Sequence, residues 1–144
     1  MSSSMGIIFS NIYDKNMGEL TAMRTSASIP FGCRYRQVDF VLSNMANSGI
    51  KSIGIITKYN YQSLMDHLGN CEEWDLKLGD GVRFLPPYAT GHTGAYHGKL
   101  EALQTAMPVL ERSDAEYVVL SDTTVLCAIN FRLVVEEHIR SGSR

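Results

Sequence analysis

The 144-residue sequence has few cysteines, little excess charge and no long apolar run. Its three cysteines, Cys33, Cys71 and Cys127, are odd in number, far apart and without a C-x-x-C pair. That pattern argues against a disulfide framework and a cysteine-based structural zinc site, and it suits a reducing, cytoplasmic setting. With 13 basic against 15 acidic residues the formal net charge is -2, so the broad positive surface used to bind nucleic acid is missing. An anionic ligand would have to be met by a local site. The apolar run Ile7-Ile8-Phe9 is too short for a signal peptide or a membrane span, and residues 1–5, without a basic flank, read as a leader or tag remnant.

What is present is a chain rich enough in aliphatic blocks for one globular core, with no block of like charge to keep it open. Gly6-Ile7-Ile8-Phe9 reads as a short buried strand that stops at Ser10-Asn11. No period is sustained from there to about Arg36, a stretch longer than the roughly 2 to 6 residues usual between elements of an α/β unit. Val41, Leu42, Met45 and Ala46 then place an apolar stripe on a helix over about residues 39–47, closed by Ser48-Gly49. Ser52 to Thr57 is apolar and β-branched, as in a parallel strand covered on both faces.

Tyr61, Leu64, Met65 and Leu68 recur at helical spacing, and Val82-Arg83-Phe84-Leu85 is a strand ended by Pro86-Pro87. Leu100, Leu103, Met107 and Leu110 predict a helix that Pro108 kinks or shortens. Tyr117 to Leu120 is a further buried strand, and Phe131 to Ile139 a last amphipathic helix. This alternation predicts an α/β fold with right-handed crossovers and a mostly parallel sheet with helices on both faces.

In such a sheet ligands bind beyond the carboxyl ends of the strands, so the segments after Phe9, Thr57, Leu85 and Leu120 are the informative ones. A phosphate-binding α/β protein usually has glycines after its first strand, because a bare backbone lets several N–H groups converge on the anion. Here the segment is Ser10-Asn11-Ile12-Tyr13-Asp14-Lys15, and Asp14 would repel a phosphate. Asp122 ends a strand and reads either as a Mg²⁺ ligand or as the cap of the next turn. Arg24, Arg34 and Arg36 either assemble a phosphate or effector site or make ordinary ion pairs with Asp39, Glu19 or a partner. His92 and His97 share a loop without carboxylate or cysteine partners and read as solvated. His67 lies near a helix C-terminus, where dipole and surface explain it, and His138 at a helix edge.

The run Pro30-Phe31-Gly32-Cys33-Arg34-Tyr35-Arg36-Gln37-Val38-Asp39-Phe40-Val41-Leu42-Ser43-Asn44 closely resembles the bacterial glucose-1-phosphate adenylyltransferase family. The likeness continues through Asn47-Ser48-Gly49-Ile50, Glu73-Trp74-Asp75-Leu76, Leu85-Pro86-Pro87-Tyr88 and Glu116 to Leu120. It implies a Rossmann-like nucleotidyltransferase fold, of which residues 6–144 would be the N-terminal part, without the remaining half and the β-helix typical of the family. The family's reaction joins ATP and glucose 1-phosphate into ADP-glucose and pyrophosphate with the help of Mg²⁺.

Against that pattern the chain departs where anions are handled. The family's G-G-x-G-x-R loop is replaced by Ser10, Asn11 and the residues up to Lys15, and its Lys-Pro pair by Ser26-Ala27. A gapless register puts its metal aspartate on Thr124, with Asp122 two positions early. The G-T-A segment of the nucleotide pocket appears as Gly98-Lys99-Leu100, with Tyr96 kept ahead of it.

These departures, together with the opening Gly6 to Ile12, resemble the regulatory, accessory subunit type that works beside a catalytic glucose-1-phosphate adenylyltransferase subunit. The resemblance thus implies a poorly active partner subunit. The alternatives are an active enzyme using Lys15, Arg24 and Asp122, and a non-catalytic module that binds a sugar-phosphate effector.

Overall fold

In the computed structural model the residues described are 3–77, 81–86 and 96–143. Strand β1 (Ser4–Phe9) is followed by three short 3-10 turns (Asp14–Asn16, Gly18–Thr21 and Ser26–Ser28). A two-residue hairpin, β2 (Pro30–Phe31) and β3 (Tyr35–Arg36), leads into α1 (Gln37–Asn47). Then come β4 (Ser52–Ile56), α2 (Gln62–Leu68), β5 (Val82–Leu85), α3 (Lys99–Gln104), α4 (Met107–Leu110), β6 (Tyr117–Asp122) and α5 (Phe131–Ser141).

Strands β1, β4, β5 and β6 form one parallel sheet in the order β5-β4-β1-β6. Side chains alternate across it, so Ile8, Ile53 and Ile55 join one cluster with α1, α2 and α5. Met5, Ile7, Phe9 and Ile56 join another with Tyr96, Ala102 and Ala106 on the opposite face. The expected α/β sheet with helices on both faces is therefore present. Gly54 lies where the sheet is tightly packed: a Cβ there would come within 2.8 Å of the side-chain ends of Ile7 and Leu85.

Several boundaries move for identifiable reasons. Strand β1 begins at Ser4, and Met5 within it is buried, so these two residues of the expected leader pair in the sheet. Helix α1 starts at Gln37, two residues before the expected position, because the Asp39 carboxylate accepts the Arg36 backbone N–H at 2.9 Å and closes the first turn from inside. The helix expected from Leu100 to Leu110 divides into α3 and α4, with Pro108 in the first turn of α4. Strand β6 runs on to Asp122, so that residue pairs in the sheet with Phe9 instead of capping a turn.

Ile55 has no exposed surface and Leu133 is 56% exposed. Ile55→Ala is expected to cost about 2–5 kcal/mol in urea denaturation, and Leu133→Ala no more than about 0.5 kcal/mol. Equal losses at the two positions would contradict the two-face core.

Candidate functional site at the carboxyl end of the sheet

The sheet reverses its order at β1: the chain steps from β1 to β4 and β5 on one side, then returns to place β6 on the other. In open parallel sheets the ligand crevice forms at this switch point. Its walls are the segment after Phe9, the end of β6 at Asp122, and Tyr96 to Lys99, which enter α3.

The segment after β1 is filled by its own side chains. The Ser10 hydroxyl donates to the Ile56 carbonyl at 2.7 Å, while the Ser10 carbonyl accepts from the Ala27 N–H and the Ser26 hydroxyl. Asp14 is buried rather than directed at a ligand, and its Oδ1 accepts the Ser26 N–H at 2.8 Å. Burial raises its pKa above the ordinary carboxylate value, against the opposing pull of the Ser26 hydrogen bond and the Lys58 charge. Ser26, read from the sequence only as a replacement for a lost cation, is thus what ties this loop shut.

Tyr96 is buried and donates its phenol O–H to Asn11 Oδ1 at 2.9 Å. Burial pushes that phenol well above its ordinary pKa, which keeps it a donor. The Asn11 amide is oriented by this bond, and its Nδ2 is buried without a partner. Lys58, two residues after β4, donates to the Tyr96 carbonyl at 3.0 Å and lies over the Tyr96 and Tyr59 rings. Asn11, Lys15, Lys58, Tyr96 and His97 line a cavity of about 90 Å³.

On the β6 side, Lys99 Nζ meets Asp122 Oδ2 at 2.6 Å and packs against the rings of Phe9 and Tyr13. The hydrogen bond to Asp122 raises the Lys99 pKa and keeps it charged. The second carboxylate oxygen of Asp122 is buried and unpartnered. A Mg²⁺ ion at Asp122 Oδ2 would have to displace the ammonium group, and no cluster of three metal-ligating side chains exists among the described residues. As they stand, these residues do not fit the ion that the resemblance implies.

The arginines do not assemble a site. Arg36 donates through Nη1 to the Ser63 carbonyl and hydroxyl, both at 2.7 Å, and thereby ties β3 to α2. Arg34 is exposed, Arg24 is half-buried, and neither guanidinium makes a hydrogen bond or ion pair among the described residues. His67 does more than sit at a helix end: its Nε2 lies 2.7 Å from Asp39 Oδ1 and joins α2 to α1. The His138 ring meets the Tyr117 ring edge to face. His97 is solvated, its backbone N–H held by Glu101, and His92 lies outside the described residues. Gly98 precedes α3 in an extended conformation. The sequence reading missed Lys58 and the pairing of Lys99, although both stand in segments it marked as informative.

Residues 13–144 match the nucleotidyl transferase family. The chain belongs to that family. This nucleotidyl transferase chain is 39% identical over 139 residues to the glycogen biosynthesis protein GlgD of Bacillus subtilis, covering 96% of the chain and 40% of the relative. It is 31% identical to a glucose-1-phosphate adenylyltransferase of Pseudothermotoga lettingae, covering 99% of the chain and 34% of the relative. A Bacillus anthracis crystal structure, described as a glucose-1-phosphate thymidylyltransferase with sucrose bound, superposes with a TM-score of 0.75 at 16% identity. That overlap covers 96% of this chain and 51% of the other, and it establishes the shared fold. The chain spans about 40% of the length of the GlgD relatives.

Because Asp14 holds its proton more tightly in the folded than in the unfolded state, it stabilises the fold below the ordinary carboxylate pKa. That contribution is lost as pH rises through the folded value. Asp14→Asn is therefore expected to gain stability over the parent between about pH 3 and pH 7 in chemical denaturation. A difference that shrinks over the same range would contradict the burial assigned to this carboxylate.

Proposed function

We propose that the chain is the nucleotidyltransferase-fold region of a regulatory subunit of glucose-1-phosphate adenylyltransferase. It is poorly active alone and modulates a catalytic partner subunit in glycogen biosynthesis. The observation that carries this reading is the closed first loop: Ser10, Asn11 and Asp14 occupy, by hydrogen bonds, the space that phosphate-binding relatives of the resemblance leave to glycine.

Two further observations support it. Identity to the Bacillus subtilis GlgD is 39%, against 31% to the Pseudothermotoga lettingae glucose-1-phosphate adenylyltransferase. The Lys99–Asp122 pair holds the one carboxylate at the switch point that the sequence offered to Mg²⁺. A cytoplasmic setting belongs to the same reading and is supported by three free cysteines; no helix of the described residues is long and apolar enough to cross a membrane.

The full-length protein, purified alone, is expected to form ADP-glucose from ATP and glucose 1-phosphate at no more than a trace rate. Added to a catalytic subunit it is expected to co-elute with it and to change its rate or substrate affinity by about 5-fold or more. Strong activity of the protein alone, abolished by Asp122→Asn, would overturn the reading in favour of an enzyme that uses Lys15, Arg24 and Asp122.

A further inference from the structure

A second groove, of about 910 Å³, runs along one face of α1, between the short turn Glu72–Trp74 and the loop after β6 that holds Leu126 and Cys127. It shares no lining residue with the crevice at the switch point. Its walls are fixed. Asn44 Nδ2 donates to the Cys127 carbonyl at 2.7 Å and holds that loop against α1, while Trp74 Nε1 donates to the Ser43 hydroxyl at 3.0 Å.

At one end the Phe40 ring meets the rings of Phe31 and Tyr35 edge to face, with centroids 5.6 and 6.0 Å apart. Phe31 and Tyr35 remain 47% and 50% exposed, so the aromatic group is only half covered by this chain. Exposed rings gathered beside a groove are the usual anchors of a protein interface.

The charge along the groove is of one sign. Glu72, Glu73 and Asp75 are exposed, and their carboxylates make no hydrogen bond or ion pair among the described residues. Asp39, the fourth carboxylate of the lining, is taken by His67 and by the Arg36 backbone N–H. No described lysine, arginine or histidine lines the groove. Three like charges close together repel one another, and a cation from outside relieves them. A guanidinium or ammonium group on an apolar stem meets both demands, since its stem packs on the rings while its head pairs with the carboxylates.

We propose that this groove docks a segment of the catalytic partner subunit that carries arginine or lysine beside an apolar side chain. The apolar part lies on Tyr35, Phe40 and Leu126, and the cation meets Glu72, Glu73 and Asp75. That there is such a partner rests on the regulatory reading; where it docks, and through what chemistry, rests on the groove.

Titration of the full-length protein with the catalytic subunit at rising NaCl tests it. The expected result is a Kd that salt weakens. The triple variant Glu72→Gln, Glu73→Gln, Asp75→Asn is expected to raise that Kd at least 10-fold and to remove most of its salt dependence. Tyr35→Ala raises it by a similar factor, and Glu111→Gln, on the opposite face of the sheet, leaves it unchanged. Each variant is to be checked for an unaltered urea midpoint. Cys127 needs no substitution: it is exposed in the groove, and its reaction with a maleimide, read by peptide mass, is expected to slow at least 10-fold in the complex. Binding by the parent that neither the substitutions nor the Cys127 rate registers would overturn the docking site and leave the regulatory reading standing, whereas failure of the parent to bind would overturn both. Self-association of the protein alone that the same substitutions abolish would put a second copy in the groove and also overturn the proposal.

Discussion

Everything at the candidate site depends on β1 lying between β4 and β6 in a parallel sheet. A parallel strand must leave the sheet at its carboxyl end, and here the two neighbours belong to opposite directions of winding, so a crevice opens beyond Phe9 whatever residues follow. The fold supplies the place without supplying the chemistry. What the chain puts there are Ser10, Asn11 and Asp14, each hydrogen-bonded to another part of the protein. A loop that can close on a phosphate has spare backbone N–H groups and no side chains in the way; this one has side chains committed inward.

The electrostatics follow from that closure. Asp122 and Lys99 neutralise each other on one side of the crevice, at 2.6 Å. Lys58 and Lys15 sit on the other side, close to Asp14, whose burial favours its protonated form and whose Oδ1 accepts the Ser26 N–H. One half of the switch point is thus an internal ion pair and the other keeps positive charge.

Much of the fold was legible from periodicity alone. Ile53, Ile55 and Ile56 read as a covered parallel strand because no polar residue interrupts them, and the two core clusters cover both faces of that strand. Helix and strand ends were less legible, because they are decided by tertiary partners: Asp39 extends α1 backward through Arg36, and Phe9 holds Asp122 in the ladder. The irregular stretch between β1 and α1 hid its order for a similar reason. Its 3-10 turns are held by Ser26, Thr21 and Asp14 across many residues, a pattern with no period to detect. At the site, Asn11 and Tyr96 were singled out separately, but only the structure brings them to 2.9 Å. Arg36 looked like an anion ligand because a guanidinium in a loop has several uses, and Ser63 turns out to take it.

The central claim is that the first loop and the Lys99–Asp122 pair close this crevice to a metal-nucleotide complex. Equilibrium binding of ATP to the full-length protein without a partner, measured with and without Mg²⁺, tests it most directly. The account predicts weak binding that Mg²⁺ does not strengthen, since Lys99 holds Asp122 Oδ2 and the first loop carries Ser10, Asn11 and Asp14 where a glycine loop would be. Tight binding that appears only when Mg²⁺ is added would contradict it.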